Sequence, residues 1–302
     1  MNSKSSNIRL VEPYPLTRTL LVKPKDNGKK LLEYLHERFS YIGFDEWKYR
    51  LDKRWIWFTN GDAKPDSLLK SNQLIFHHSP RVIEPSVPDL VRVVKETEEW
   101  LVAYKPAPMP MHQGGRYYKN TLIYILGEMG YRDLSIVHRL DSVTSGLVLF
   151  AKNREMANQL QQAFSEKKVI KWYYALVEGV MSDKKMIVDL PIRRKRGFVF
   201  ECGTNLKNAK PAKTIIEPCK SVNGLSLVKC TPVTGRTHQI RLHLREAGFP
   251  IIDDPIYGSN GDETGNRMQN RAIHLQSSGI VVDDFSIEAK MDLPLDWLMP
   301  DE

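Results

Sequence analysis

Cysteine is scarce: Cys202, Cys219 and Cys230 are the only three in 302 residues. They form no C-x-x-C pair and no zinc spacing, so neither a disulfide framework nor a structural metal site is expected, and they read as reduced, small apolar side chains. No apolar run approaches the roughly 20 residues needed to span a bilayer. Met1 to Leu10 is polar and lacks the apolar stretch of a secretory signal. The expectation is a soluble, cytoplasmic protein with no membrane partner. Glycine and proline, 18 of each, are neither rich nor periodic enough for a collagen-like or low-complexity chain. Several catalytic kits are also missing. There is no G-x-x-x-x-G-K-[ST], no G-x-G-x-x-G opening a helix, no H-E-x-x-H and no G-x-S-x-G. The H-x-E and P-C-x-x-C pair of base deaminases is absent. The glycine-rich segment from Gly258 to Gly265 lacks a phosphate-binding lysine and reads as a surface loop.

What is present suits a folded chain of about two domains. Apolar residues make up 41% and charged residues 26%, with a net charge of +8. The basic excess invites an anionic partner without proving one. It is uneven: residues 1–88 hold fifteen Lys/Arg against ten Asp/Glu, which is +5 of the +8. Pro80, Pro85 and Pro88 lie within His77 to Val91, where lost backbone donors predict an extended linker. The domain boundary is therefore placed near residue 90, giving 1–90 and 91–302.

In the first part, Leu31, Leu32, Leu35 and Phe39 recur at helical spacing, with Asp26-Asn27 as the expected cap. A second helix is expected from Asp45, burying Trp47 and Leu51. Trp55 to Phe58 and Leu74 to Phe76 read as a hairpin, with Asn60-Gly61 as a turn signal. Lys48, Arg50, Lys53 and Arg54 cluster around the second helix, either as a solvated face or as one turned to RNA.

In the second part, strands are expected at Trp100 to Tyr104, Gly146 to Ala151, Trp172 to Val177 and Leu225 to Thr231. The run at 146–151 is continuously apolar, as a strand covered on both faces would be. Asn153 is expected to cap a helix with Met156, Leu160 and Phe164 in register. Thr237 is expected to cap another, burying Ile240, Leu244 and Ala247 and ending at Gly248. The fold class is α+β.

Two segments carry candidate chemistry. His138-Arg139-Leu140-Asp141 precedes Ser142-Val143-Thr144-Ser145-Gly146 and the apolar strand. Read locally, Asp141 is a turn cap as readily as a functional carboxylate. Thr234-Gly235-Arg236-Thr237-His238-Gln239-Ile240-Arg241 places two arginines on a turn and the helix it opens, where anions bind readily. His238 and His243 are five apart, do not share a helical face, and read as core or hydrogen-bonding histidines.

Taken together, these segments resemble the RluA-type RNA pseudouridine synthases. The resemblance covers nearly all of residues 91–302 in order. It runs through Lys105-Pro106-Ala107 with Met111-His112, then His138 to Gly146 as H-R-L-D-x-x-T-S-G, and Ala151-Lys152-Asn153. It continues through Lys171-x-Tyr173-x-Ala175, Thr234 to His243, Gly248-x-Pro250-Ile251 and Asp254-x-x-Tyr257-Gly258. Two departures stand out, Pro108 and Asp253, each where the family has a glycine. Asp tolerates a left-handed backbone better than most residues, so the second turn can survive.

The resemblance implies a central mixed, mainly antiparallel sheet with flanking helices, preceded by a small αL-type RNA-binding-like domain that matches only loosely. It implies isomerisation of uridine to pseudouridine in ribosomal or transfer RNA, with no cofactor, no metal and no obligatory protein partner. It makes Asp141 the nucleophile, Arg241 its partner and Tyr173 the active-site tyrosine. Arg139 is implied in flipping the target nucleotide, and His138, Thr144, Arg236 and Lys105 in contacting substrate. Two other readings compete. One is a non-catalytic RNA-binding or ribosome-assembly protein that retains the fold. The other is a glycoside hydrolase using Asp141 and Asp254 as paired carboxylates.

Overall fold

The computed structural model describes residues 8–40, 42–264 and 271–298. The chain divides into two compact units. One is Val11–Glu84. Strand β1 (Ile8–Arg9) precedes it in sequence but belongs with the chain from Pro85 onward.

The smaller unit holds β2 (Tyr14–Leu21), helices α1 (Leu31–Arg38) and α2 (Phe44–Asp52), then β3 (Ile56–Phe58), β4 (Gly61–Asp62) and β5 (Leu74–Val82). Its four strands run in the order β2-β5-β3-β4. The expected hairpin is thus part of a larger sheet, because β2, which the sequence pattern does not announce, pairs along most of β5. Residues 77–82 are strand and not linker. Pro80 fits because the β2–β5 register shifts opposite it, the kind of irregular position where a missing amide is tolerated. Trp47 and Leu51 of α2 pack with Leu31, Tyr34, Leu35, Ile56 and Ile75 in one core. Asp26 does not cap α1, which starts after Lys30. The first amides of α1 are satisfied instead by a loop: Leu31 N–H donates to the Ser67 carbonyl at 2.9 Å and Leu32 N–H to Pro65 at 3.0 Å. Asp45 and Glu46 occupy the first turn of α2, where a helix favours acidic residues.

In the larger unit, β1 pairs with β6 (Val87–Pro88). The chain then runs through β7 (Arg92–Glu96), β8 (Trp100–Lys105), α3 (Leu122–Glu128), β9 (Ser135–Ile136), β10 (Ser145–Ala151), α4 (Arg154–Ser165) and β11 (Ile170–Glu178). It continues through β12 (Met186–Asp189), β13 (Ile192–Arg196), β14 (Val199–Cys202), β15 (Lys213–Val222), β16 (Leu225–Pro232), α5 (Gln239–Glu246), β17 (Leu275–Val282) and β18 (Ile287–Lys290). The main sheet is ordered β12-β15-β16-β11-β17-β10-β8-β7, with β18 beside β17 and β9 beside β10. Its pairs are antiparallel except for β10 with β17. Strand β10 is covered on both faces, as its apolar run requires. Val148 and Phe150 enter a core shared with α3, α5 and Tyr173. Leu147, Leu149 and Ala151 enter a second core against Met156, Ala157, Leu160 and Ala163 of α4. The Asn153 side chain caps α4 by accepting Met156 N–H at 2.8 Å.

The parallel β10–β17 contact depends on Gly146. A Cβ there would lie 2.2 Å from the Ser277 carbonyl oxygen, and the residue has φ +115. Only glycine combines that close approach with that conformation. The residue at the N-cap position of α5 is His238, in the left-handed region and without a side-chain capping bond, and not Thr237. Gly248, with φ +84, follows its end. Asp253 adopts φ +61, so the departure from glycine at 253 is accommodated as expected.

Candidate active site

Asp141 stands in the turn that feeds β10, and backbone hydrogen bonds pin the residues from Asp141 to Thr144. Its carbonyl accepts Thr144 N–H at 3.1 Å, that of Ser142 accepts Met109 N–H at 2.8 Å, and that of Val143 accepts Ile273 N–H at 3.0 Å. Leu140 is buried in the main core. The Asp141 carboxylate remains 27% exposed, so it can meet a ligand from solvent.

The segment Thr234 to Arg241 delivers the opposing cation. Gln239 locks its turn: Oε1 accepts from Thr234 Oγ1 at 2.7 Å and Arg236 N–H at 3.0 Å, while Nε2 donates to the Lys213 carbonyl and Thr214 Oγ1. Ile240 and Leu244 enter the core, which turns Arg241 toward Asp141. Arg241 Nη1 donates to Asp141 Oδ2 at 3.3 Å across 100 residues of sequence. Two further donors are committed to Asp254, with Nε to Oδ2 at 2.6 Å and Nη2 to Oδ1 at 2.7 Å. Both side chains are buried, Asp254 at 0% and Arg241 at 3% exposure. The Tyr257 ring lies 4.9 Å from the guanidinium carbon. Burial alone would lower the pKa of Arg241, but its bonds to Asp254 and the two carboxylate charges raise it. Burial alone would raise that of Asp254, but Arg241 and the amides of Tyr257 and Ile256 lower it. The result is a buried, doubly ionised clamp that presents one guanidinium edge to Asp141.

Tyr173 lies on β11 between Cys230 of β16 and Ser277 of β17. It is the inward member of the Tyr173–Tyr174 pair, 7% exposed and part of the main core. Burial pushes its hydroxyl up to about 12, aided by the Asp141 charge and opposed by Ser277. It is therefore a neutral phenol at ordinary pH, suited to contact and hydrogen bonding more than to taking a proton.

The residues expected to touch substrate divide. Arg139 and Arg236 are exposed, and Arg236 Nε donates to the Pro211 carbonyl. For Lys105 the expectation is corrected. It is fully buried, and its Nζ donates to the carbonyls of Met109 at 2.8 Å, Pro106 at 3.1 Å and Ser142 at 3.2 Å. Burial draws its pKa down to about 7, against the pull of Asp141, yet three carbonyl acceptors require the three protons of an ammonium. Its task is to hold the turn beside Asp141. His138 also points inward, with Nε2 accepting Leu149 N–H at 2.9 Å, and burial holds its pKa well below the usual value. Thr144 is buried. Lys105 and His138 thus hold backbone groups inside the fold, and Thr144 joins the turn through its own N–H to the Asp141 carbonyl.

Three members of the site were noted in the sequence but given no part in the pseudouridine synthase reading. Asp254 and Tyr257 sit in the D-x-x-Y-G segment, whose two functional side chains were the available signal. His238, read as a hydrogen-bonding histidine, does make such a bond but also lies 3.8 Å from Asp141 Oδ2. Asp254 cannot serve as the second acid of a glycoside hydrolase. Its oxygens already accept from Arg241 and from the Ile256 and Tyr257 amides, the latter two at 3.0 Å. Among the described residues, no group of three or more His, Cys, Asp or Glu is arranged to hold a metal.

A family model described as RNA pseudouridylate synthase matches residues 99–246. RNA pseudouridine synthase 7 of Oryza sativa subsp. japonica is 31% identical over 281 residues, covering 89% of this chain and 71% of that protein. The mitochondrial tRNA pseudouridine(32) synthase of Saccharomyces cerevisiae is 31% identical over 265 residues, covering 86% of this chain. The chain spans only 57% of that yeast protein's length. The solved structure of human RNA pseudouridylate synthase domain containing 1 shares the fold, with a TM-score of 0.58 at 24% identity over 72% of this chain and 89% of that one. The chain belongs to the RNA pseudouridylate synthase family, of the RluA type.

Proposed function

We propose that the protein isomerises specific uridines to pseudouridine within a structured RNA. The observation that carries this reading is the partly exposed Asp141 carboxylate facing an arginine that Asp254 holds rigid. The isomerisation breaks the bond from N1 to the ribose, turns the uracil and joins its C5 to the ribose; C5 gives up a proton and N1 takes one up, so the composition is unchanged. It needs one nucleophile and a dry, oriented site, with no electron or group donor. Asp141 supplies the nucleophile. Arg241 aims it, through the bond from Nη1 to Oδ2. Tyr173 offers a neutral ring and hydroxyl at the floor of the site.

A uridine inside a stack is out of reach, so it leaves the stack at a cost of a few kcal/mol. Exposed Arg139, two residues before the nucleophile, takes the vacated place. Transfer RNA is the first substrate to test, as the name of the yeast relative supports; ribosomal RNA is the second. The test compares pseudouridine maps of total RNA from cells with and without the gene, and assays the purified protein on the sites that disappear. Asp141→Asn should bind the same RNA with unchanged affinity and convert none of it. Appreciable conversion by the pure variant, or identical maps with no turnover by the wild type, would overturn the proposal.

A further inference from the structure

His238 touches the site from an uncommon backbone. It precedes α5 at φ 57, ψ 19, a region few non-glycine residues enter, and its carbonyl accepts Leu242 N–H to begin the helix. The ring explains what holds it there. Its Nδ1 is 2.9 Å from the Tyr257 hydroxyl, and its edge meets the rings of Phe200 and Tyr257 at centroid distances of 5.3 and 5.5 Å.

The same hydroxyl accepts Phe200 N–H at 2.9 Å. A phenol carries one proton. With the Phe200 amide on one of its lone pairs, the arrangement that uses this proton gives it to His238 Nδ1, 2.9 Å away. The ring proton is then on Nε2, which faces Asp141 Oδ2 at 3.8 Å. This is longer than a hydrogen bond, but close enough for an N–H dipole to orient a carboxylate. Arg241 addresses the same oxygen, while Oδ1 has no protein partner among the described residues.

We propose that His238 is a positioning residue for Asp141: its Nε2–H, fixed in tautomer by Tyr257, holds Oδ2 beside Arg241 and leaves Oδ1 turned to the nucleotide. This role rests on the functional reading above. His238 is not itself a base. Burial lowers its pKa, against the pull of Asp141, so the ring is neutral. With Nδ1 occupied and Nε2 protonated, it offers no lone pair for proton abstraction.

Three substitutions separate this from a structural role. Glutamine places an amide N–H where Nε2 stands. Asparagine reaches only to Nδ1, although it tolerates the left-handed backbone well. His238→Ala and His238→Asn should each lose roughly 10- to 100-fold in kcat with KM little changed, the scale of a misoriented reacting group. His238→Gln should recover most of that loss. Tyr257→Phe should lower kcat in the wild-type background but not in His238→Gln, because glutamine has no tautomer to fix.

A substrate-free measurement accompanies the kinetics. Spectra of the ring nitrogens in 15N-histidine-labelled protein should show His238 protonated at Nε2, and a mixture of tautomers in Tyr257→Phe. An Nδ1–H tautomer in the folded wild type overturns the proposal whatever the RNA assays give. So does a folded His238→Gln as slow as His238→Ala, or an equal Tyr257→Phe loss in both backgrounds. Absence of any turnover by the wild type counts instead against the functional reading, and leaves the tautomer to decide this one.

Discussion

Arg241→Lys keeps a cation at the site and removes the planar fork. In the wild type, three donors of one guanidinium make three bonds, to Asp254 at 2.6 and 2.7 Å and to Asp141 at 3.3 Å. A lysine has one nitrogen and cannot serve both carboxylates at those distances. If it stays with Asp254, Asp141 loses its cation. If it turns to Asp141, buried oxygens of Asp254 are left without their strongest partners. Hydrogen bonds to charged groups are worth about 1.5–3 kcal/mol each. Losing two of the three, at 3% and 0% side-chain exposure where solvent cannot compensate, should cost about 3–5 kcal/mol, the scale of a broken buried pair. For a domain of this size, that lowers the melting temperature by roughly 10 °C. Turnover should fall by about 100-fold or more, since the carboxylate loses its orientation as well as its partner. Urea unfolding and single-turnover isomerisation, read on the same preparation, check both numbers. A variant with unchanged unfolding and a kcat within about threefold of wild type would show that any cation suffices and that the fork is incidental.

Gly146→Ala should destabilise the protein by about 2–4 kcal/mol in thermal or urea unfolding, because the new Cβ meets the Ser277 backbone and the residue cannot leave φ +115 without breaking the β10–β17 pairing; unchanged stability would mean that the two strands part freely. His77 in the smaller unit is held at about 4 by burial and by the charges of Arg50, Arg18 and His78, and accepts from Arg50 Nη1 at 3.0 Å. Between the unfolded value of about 6.5 and about 4 the unfolded chain binds the extra proton, so stability should fall by roughly 3 kcal/mol as pH drops through that window and level off below it. His77→Gln should flatten this slope, and an equally steep slope in that variant would exclude His77 as its source. Lys48, Lys53 and Arg54 are exposed around α2. If they meet RNA phosphates, their joint change to glutamine should reduce the log–log salt slope of binding by about 0.7–0.9 for each phosphate no longer neutralised, whereas an unchanged slope would mark them as a solvated face.

The sequence alone determined what depends on neighbours along the chain. The apolar run of β10 required cover on both faces. Asn153 could act as the cap of α4 because a cap reaches only three residues ahead. The H-R-L-D and T-G-R-T-H-Q-I-R segments were legible as a family pattern, and with them Asp141, Tyr173 and Arg241. Strand β2 was not legible: its burial alternates, but Pro15 and Leu21 fall on the exposed face and Arg18 on the half-buried one, which blurs the apolar pattern that announces a strand, and it is held by pairing with β5, far along the chain. The linker reading of His77 to Val82 failed for the same reason. Proline marked a break, and only the partner strand shows that the break is a local register shift. Tertiary structure also decided which charged residues face outward. Lys105 and His138 both stand in the family's motifs, His138 in the same one as Asp141, yet the turn of the backbone aims them at carbonyl and amide groups inside the fold. The commitment of Arg241 to Asp254, and of Tyr257 to His238, depends on side chains 13 and 19 residues apart meeting within about 3 Å. Sequence spacing sets no such distance; the packing of α5 and the turn after it against the sheet does.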